Sequence, residues 1–299
     1  MAGATKRVNV LERPSRTARA AALGRAAGFA GHRDTWAEQV LPWRDAVLAR
    51  RMRRLVGADA SPRGSRVLQP LLGGLTAHAT LRMLAIDECV RAAIADGIEQ
   101  VVIVGAGLDT RAWRLDELAS ARVLELDLPG TQEAKQLRLA GTPVRAAQLR
   151  FVPVDLHRAD LDWVLGDAGH DPDEPTLWLW EAVAMYIPPA SVRATAEVLG
   201  ARSAARSRLA MTFVVPDLLG EGRLGRALAP GARALFDALG EPVRTSLSHE
   251  QVTDLLHEAG FDRVEVTDSA AWARAAGLQA PRNPLGAERL AVATRSTRA

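Results

Sequence analysis

From about residue 98 onward, short apolar runs alternate with longer stretches in which apolar residues recur at helical spacing. The run 101–104, Val-Val-Ile-Val, is apolar throughout and ends in a glycine, which is typical of a strand buried on both faces of a parallel sheet. Strands that alternate with helices indicate an α/β fold with a doubly wound parallel sheet. The further strands are predicted at 122–126, 149–154, 176–180 and 208–215, and the helices between them at 130–140 and 189–204.

Before residue 98 the pattern is helical. Helices are predicted at 16–30, 35–55 and 75–95, and Pro42 is expected to end or kink the second of them. We therefore divide the chain into an N-terminal helical cap region, 1–97, and a core, 98–299, that together form one compact unit.

After residue 215 the alternation of strands and helices is interrupted. The segment 216–247 carries several glycines and prolines and fits neither pattern, so we interpret it as an insertion that could cover a site. A helix is predicted at 248–259, where Ser248 and Gln251 form a capping box and Gly260 ends the helix. The last two strands, one of them antiparallel, are predicted at the end of the sheet, at 263–267 and 289–294.

Composition and the distribution of charge exclude several classes of protein. The chain has 299 residues, 48% of them hydrophobic, and contains no apolar run long enough to span a membrane. A single cysteine, Cys89, excludes an internal disulfide. Arginines are concentrated at 50–66, but no aromatic residues interleave with them, so no nucleic-acid partner is expected. Because the N-terminal segment lacks the apolar stretch of a secretory signal, we expect a cytoplasmic protein.

A glycine turn follows the first predicted strand. The segment 105–111, Gly-Ala-Gly-Leu-Asp-Thr-Arg, connects the run 101–104 to the start of a helix. Glycines let a ligand approach the backbone closely, and the N–H groups at a helix start favour an anion. Because ligands of open α/β sheets bind beyond the carboxyl ends of the strands, this turn is a candidate binding site. The dinucleotide fingerprint requires a third glycine where Thr110 stands, which argues against an NAD-dependent oxidoreductase.

Acidic residues end or follow the next three predicted strands. An acid about twenty residues after the turn can accept hydrogen bonds from both hydroxyls of a ribose. Side chains two residues apart point to the same face of a strand, so the pattern does not choose between Glu125 and Asp127 for this role. Asp155 and Glu181 hold equivalent places after the following two strands. We expect the glycine turn and these acids to form one rim that faces one ligand.

Four segments together resemble the leucine carboxyl methyltransferase family, including its bacterial members. The resemblance extends from about residue 15 to the C-terminus. It implies a Rossmann-like class I methyltransferase fold with a mostly parallel seven-stranded sheet, S-adenosyl-L-methionine as cofactor, and methyl transfer to oxygen. The segments are 105–115, Gly-Ala-Gly-Leu-Asp-Thr-Arg-Ala-Trp-Arg-Leu; 125–129, Glu-Leu-Asp-Leu-Pro; 154–156, Val-Asp-Leu; and 180–188, Trp-Glu-Ala-Val-Ala-Met-Tyr-Ile-Pro.

The resemblance also implies which residues bind the cofactor. Asp127, rather than Glu125, matches the family's ribose-binding acid, and Glu181 matches the acid near the methionine end of the cofactor. The other matching positions are the turn glycines Gly105 and Gly107 and the adenine-side pair Asp155 and Leu156.

Two arginines of the cap region match basic residues of the family. Arg82 corresponds to an arginine that pairs with the cofactor carboxylate, a task that suits the planar guanidinium; the alternative is an arginine on a helix surface. Arg16 resembles an N-terminal basic residue that closes over the cofactor. Leu84 stands where bacterial relatives usually have a second arginine, which leaves the substrate side less defined than the cofactor side.

The methyl acceptor is expected to be a carboxylate or hydroxyl of a small molecule. A carboxylate is already ionised at neutral pH and needs no general base, whereas a hydroxyl would be helped by one. His157, just after Asp155, and Tyr186, the only tyrosine, are the candidates for the acceptor pocket. The alternative from another class is a non-catalytic regulator that binds a nucleotide or nucleic acid with a Rossmann-like fold.

Overall fold

The computed structural model describes residues 15–56, 68–216, 242–279 and 287–296. Their strands form one seven-stranded sheet in the order β3-β2-β1-β4-β5-β7-β6, in which β7 runs antiparallel to both of its neighbours and the other pairs are parallel. The mostly parallel seven-stranded sheet expected from the sequence is thus confirmed. The strands are β1 (Gln100–Val104), β2 (Arg122–Asp127), β3 (Gln148–Pro153), β4 (Thr176–Trp180), β5 (Arg208–Val214), β6 (Arg263–Asp268) and β7 (Glu288–Thr294).

Helices precede the sheet and connect its strands. They are α1 (Arg16–Ala27), α2 (Ala37–Val40), α3 (Trp43–Val56), α4 (Leu68–Ala95), α5 (Arg111–Arg114), α6 (Pro129–Arg138), α7 (Leu161–Asp167), α8 (Pro189–Ala201), α9 (His249–Glu258) and α10 (Ser269–Ala275), with 3-10 turns at Asp116–Ser120 and Ala184–Tyr186. Among the described helices, none combines the length and the apolar character that crossing a bilayer requires.

The helix ends follow local sequence signals. Pro42 lies in the break between α2 and α3, as predicted, and the capping box of Ser248 and Gln251 begins α9. The first helix ends earlier than predicted because Gly28 takes a left-handed backbone conformation, with φ of 79°. Two helices, α7 and α10, were not predicted; each has seven residues and begins at an aspartate cap.

The sheet is covered on both faces. Val101 and Ile103 pack in a cluster with α1 to α4, whereas Val102 and Val104 pack in the opposite cluster with α7, α8 and α9. Apolar side chains thus cover both faces of the strand over 101–104, which explains why this part of β1 shows a continuous apolar run instead of alternation. The cap helices therefore share a hydrophobic core with the sheet.

The predicted insertion is only partly within the described residues. Its part 217–241 lies outside them. Where the chain is described again, the Arg244 backbone N–H donates to the Met185 carbonyl over 2.8 Å, and the Leu247 N–H donates to the Val214 carbonyl over 2.9 Å. The end of the insertion thus returns along the carboxyl ends of β4 and β5, next to Tyr186.

The contact between α8 and α9 depends on a helical glycine. A Cβ atom at Gly200 would overlap the carbonyl oxygen of Ala259, which is backbone and cannot rotate away. We expect Gly200→Ala to lower the Tm by about 3–8 °C, because overpacking costs about 1–3 kcal/mol and outweighs the gain in helix propensity. Thermal unfolding followed by circular dichroism measures this change.

Gly166→Ala is the matched control, since Gly166 also lies inside a helix. There the added Cβ would meet the Nη2 atom of Arg202 at 3.1 Å, the far end of a flexible side chain. Its Tm should stay within about 2 °C of the parent value or rise. Equal Tm values for the two variants would show that the α8–α9 contact adapts to an added methyl group.

Candidate active site at the strand ends

The carboxyl ends of four neighbouring strands form one edge of the molecule. The Ala106 N–H donates to the Leu126 carbonyl over 2.9 Å, and the Val154 N–H donates to the Asp127 carbonyl over 2.8 Å, so the chain leaves β1, β2 and β3 side by side. β4 pairs with β1 on the other side. The turn and acids predicted from the sequence therefore lie along a single edge, in the order Asp155, Asp127, Gly105 and Glu181.

The glycine turn requires its glycines. Gly105 and Gly107 have φ values of 70° and 51°, a region that residues with a Cβ rarely adopt. A Cβ at Gly105 would overlap the Val183 side chain, and a Cβ at Gly107 would lie 3.1 Å from Cβ of Ala18. The turn is thus packed between the loop after β4 and the first turn of α1.

Asp127 is directed at this turn. Its Oδ2 accepts a hydrogen bond of 2.5 Å from the Gly107 N–H, and its Oδ1 accepts one of 2.7 Å from the Leu128 N–H. Burial raises the pKa of Asp127, although both N–H donors oppose that shift. Two backbone donors therefore fix the orientation of a carboxylate whose remaining lone pairs can accept hydrogen bonds.

Glu125, the alternative that the pattern left open, has a different environment. Its side chain is fully buried, and its Oε2 contacts Nζ of Lys135 at 2.5 Å. The ammonium group also lies 5.1 Å from the ring centre of Trp113. Burial raises the pKa of Glu125 to about 7, with the charge of Lys135 acting in the opposite direction. The geometry favours Asp127 as the ribose-binding acid.

The remaining candidates on this edge are more open. Asp155 is partly exposed, and its Oδ1 accepts a hydrogen bond of 3.0 Å from the His157 N–H. Leu156 packs against the cluster that contains Val154, while the His157 side chain is exposed. Tyr186 ends a 3-10 turn and packs beside Met185.

Arg16 is the first residue of α1, and its side chain is exposed. The same helical turn brings Ala18 against Gly107. Arg16 is therefore placed near the glycine turn, and its role in closing over a ligand stays a prediction.

Glu181 holds two arginines. Its Oε1 accepts from Nε of Arg82 over 2.8 Å, and its Oε2 lies 2.9 Å from Nη2 of Arg111. Arg82 is buried, so the alternative of a surface arginine is wrong. The two residues that the family resemblance assigns to the methionine end of the cofactor therefore contact each other directly.

These groups belong to a larger buried ion network. Arg111 also binds Asp87, at 2.9 Å, and Asp109, and Arg82 binds Glu288 at 2.7 Å. Neighbouring buried members join the network to α1 and to the loop before α2; they are Arg25, Asp34, Thr110 and Arg114. The cap helices are thus tied to the glycine turn by charge as well as by apolar packing.

The network keeps Glu181 and Glu288 ionised. Burial raises the pKa of Glu181, but the charges of Arg111 and Arg82 outweigh burial and hold it well below its ordinary value. Burial likewise raises the pKa of Glu288, and the charge of Arg82 and the contact with His78 lower it to about 2. Arg82 and Arg111 in turn have pKa values above the ordinary range of arginine, because the nearby carboxylates outweigh their burial.

Most of this network was not predicted from the sequence. Its partners come from distant segments, as the pair Arg82 and Glu288 shows, 206 positions apart in the sequence. One local signal is present in the sequence: His78, Arg82 and Asp87 interrupt a largely apolar stretch of α4. Charged residues inside an apolar helix require buried partners of opposite charge.

The sheet order and the glycine turn at its edge define a Rossmann-like α/β protein with a candidate ligand site at the strand ends. The family model described as "Leucine carboxyl methyltransferase" matches residues 17–200, which is more than half of the chain. The protein belongs to the leucine carboxyl methyltransferase family, as the resemblance indicated.

Two bacterial relatives and two solved structures illustrate the similarity. A Frankia alni protein is 38% identical over 153 residues, which are 49% of this chain and 53% of that protein. A Mycolicibacterium paratuberculosis protein is 40% identical over 180 residues, 58% of this chain and 57% of that protein. Both are named "Putative S-adenosyl-L-methionine-dependent methyltransferase". The matches span little more than half the length of these relatives.

The solved structures share the fold over nearly the whole chain. A DUF574 family protein from Streptomyces avermitilis has a TM-score of 0.60 at 17% identity, covering 95% of this chain and 98% of that chain. A protein from Thermobifida fusca, described as a "putative methyltransferase", has a TM-score of 0.60 at 18% identity and covers 96% of each chain.

The lowered pKa values of Glu181 and Glu288 predict acid sensitivity. A carboxyl group whose native pKa lies below the ordinary 4.5 stabilises the fold above that pH, and this contribution is lost as the pH falls toward the native value. We expect the free energy of unfolding to decrease by about 2–3 kcal/mol between pH 5 and pH 3. Urea titrations across this range measure it.

Glu181→Gln tests the source of that decrease. At neutral pH it should cost about 3 kcal/mol, because it leaves two buried arginines without this charge, and its decline below pH 5 should be shallower. Glu197→Gln, at an exposed position of α8, is the control and should keep the parent profile. If the free energy of unfolding of Glu181→Gln declined as steeply below pH 5 as that of the parent protein, the acid sensitivity would arise from groups other than Glu181.

Proposed function

We propose that the protein is an S-adenosyl-L-methionine-dependent methyltransferase. The observation that carries this proposal is the hydrogen bond from the Gly107 N–H to Asp127, which joins the turn after β1 to the acid at the end of β2. Asp155 and Glu181 extend the same edge on either side. Membership of the leucine carboxyl methyltransferase family and the names of the relatives support the same activity.

The residues at this edge suit the parts of the cofactor. Asp127 would accept hydrogen bonds from the ribose hydroxyls, and Asp155 with Leu156 would contact the adenine side. At the other end, Glu181 and Arg82 would face the amino-acid part, with Arg16 closing over it. The cofactor supplies a methyl group on a sulfonium, which carries its own leaving group; the protein has to align the acceptor and exclude water.

We further propose that the methyl group goes to oxygen, in a carboxylate or hydroxyl of a small molecule. The family name supports a carboxylate. Tyr186 and Met185 lie beside the returning end of the insertion and would line the acceptor pocket. If the acceptor is a carboxylate, kcat should change little between pH 6 and pH 9, because no proton has to be removed from it.

Asp127→Ala tests the cofactor assignment. Removing this carboxylate should weaken the binding of S-adenosyl-L-methionine at least tenfold, since hydrogen bonds to a charged group contribute about 1.5–3 kcal/mol. Isothermal titration calorimetry measures the affinity. Asp173→Ala, an exposed aspartate of the turn before β4, is the matched control and should bind as the parent protein does.

Two results would contradict the assignment. The first is a titration of the parent protein, at high protein concentration, that shows no heat of binding with the cofactor at any of several temperatures. The proposed activity then fails. If the parent protein binds but Asp127→Ala binds equally well, the acid at the end of β2 does not hold the ribose.

The chemistry of the product separates the two acceptor classes. Incubation with methyl-labelled cofactor and pools of small carboxylic acids or phenols should transfer label to one pool. We expect a methyl ester, which releases labelled methanol in alkali, whereas an ether would retain its label. Label that remains in the product after alkaline treatment would exclude a carboxylate acceptor.

A further inference from the structure

Arg82 lies between two glutamates on the inner side of the candidate site. Its Nε donates to Glu181 over 2.8 Å, and its Nη1 donates to Glu288 over 2.7 Å. All three side chains are at least largely buried. The direction of the guanidinium plane is therefore set from two sides, by the end of β4 and by the first residue of β7.

Glu288 is held in turn by a histidine. His78 lies one helical turn before Arg82 on α4, and its Nε2 donates to the same Oε2 atom of Glu288 that Arg82 contacts, over 2.5 Å. The His78 ring also packs against Trp272, with 5.9 Å between the ring centres. Glu288 therefore has its position fixed by two residues of one helix face.

One oxygen of the Glu288 carboxylate lacks a hydrogen-bond partner in the part of the chain that the structure describes, which is unfavourable for a residue with a purely structural role. This oxygen, Oε1, is buried. Leaving a buried acceptor without a partner costs free energy. The group is nevertheless ionised, since Arg82 and His78 lower its pKa despite burial. An apolar side chain would fill this place at lower cost unless the contact with Arg82 matters.

We propose that Glu288, held by His78, is a positioning residue that orients Arg82 toward the carboxylate of the cofactor's amino-acid part. This inference rests on the proposed function. If Glu181 were the only partner, Arg82 would be held at Nε and its guanidinium could still rotate. The second contact, from Nη1 to Glu288, fixes the guanidinium plane. A fixed plane matters because an arginine holds a carboxylate through two parallel N–H bonds.

The test compares two ligands that differ in one group. S-adenosylhomocysteine carries the amino-acid carboxylate, and its decarboxylated analogue, S-adenosyl-3-thiopropylamine, lacks only that group. The ratio of their dissociation constants, measured by calorimetry, reports recognition of the carboxylate. A change in folding or in the adenosine site would affect both ligands alike and leave the ratio unchanged.

Glu288→Ala should lower the preference for S-adenosylhomocysteine about tenfold, with little change in the affinity for the decarboxylated analogue. Glu288→Gln keeps an oxygen that accepts from Arg82 and should retain the preference to within about threefold of the parent protein. Glu265→Ala, an exposed glutamate of β6, is the control and should leave both affinities unchanged. His78→Ala should act in the same direction as Glu288→Ala, with a smaller effect.

The outcomes separate this inference from the proposed function. If the parent protein binds neither ligand, both fail. If it binds both ligands equally, or if Glu288→Ala weakens both by the same factor, the adenosine site stands but Glu288 does not position Arg82. Tighter binding of S-adenosylhomocysteine by Glu288→Ala would also overturn the inference, because Glu288 would then compete with the ligand for Arg82.

Discussion

The buried guanidinium of Arg111 is the interaction on which the candidate site depends. Only 2% of its side chain is exposed, and it contacts Asp87, Asp109 and Glu181. A buried cation is tolerated only where carboxylates lie within hydrogen-bond distance. Its three partners come from α4, from the glycine turn and from the end of β4, so this one side chain links all three elements. The parallel strand order places Gly107 and Asp127 on the same edge as Glu181, and Arg111 ties the glycine turn and α4 to that edge.

This arrangement has a cost that apolar residues would avoid. Taking several charges out of water is unfavourable, and buried ion pairs can often be replaced by hydrophobic residues without loss of stability. The network here lies at the carboxyl ends of the strands instead of in the middle of the sheet, where β1 from Val101 onward and β4 from Leu177 onward are apolar. Such a network fixes the positions of side chains at the strand ends, which apolar packing alone would not do. We therefore regard precise placement of Glu181 and Arg82, more than stability, as its contribution.

The parts of the structure that could be predicted are those that depend on local sequence. Buried parallel strands such as β1 appear as continuous apolar runs, and the capping box of Ser248 marks the start of α9. The helices α7 and α10 escaped prediction because seven residues give too little periodicity to recognise. The strand pattern leaves Glu125 and Asp127 open, and the family resemblance chooses Asp127. The structure distinguishes them physically, because Glu125 contacts Lys135 whereas Asp127 accepts from the Gly107 N–H.

The ion network could not be predicted, and this changes how the assigned residues are understood. From the sequence, Arg82 and Glu181 are two separate ligand candidates in different segments. In the structure they bind each other, so a substitution at either alters the charge and the position of its partner. The carboxylate of a bound cofactor would enter a site where Arg82 already faces two anions. Affinity for that carboxylate then depends on how the guanidinium N–H groups are shared, because one cation has to satisfy three acceptors. The residues that fix the guanidinium plane therefore govern which N–H groups remain for the ligand.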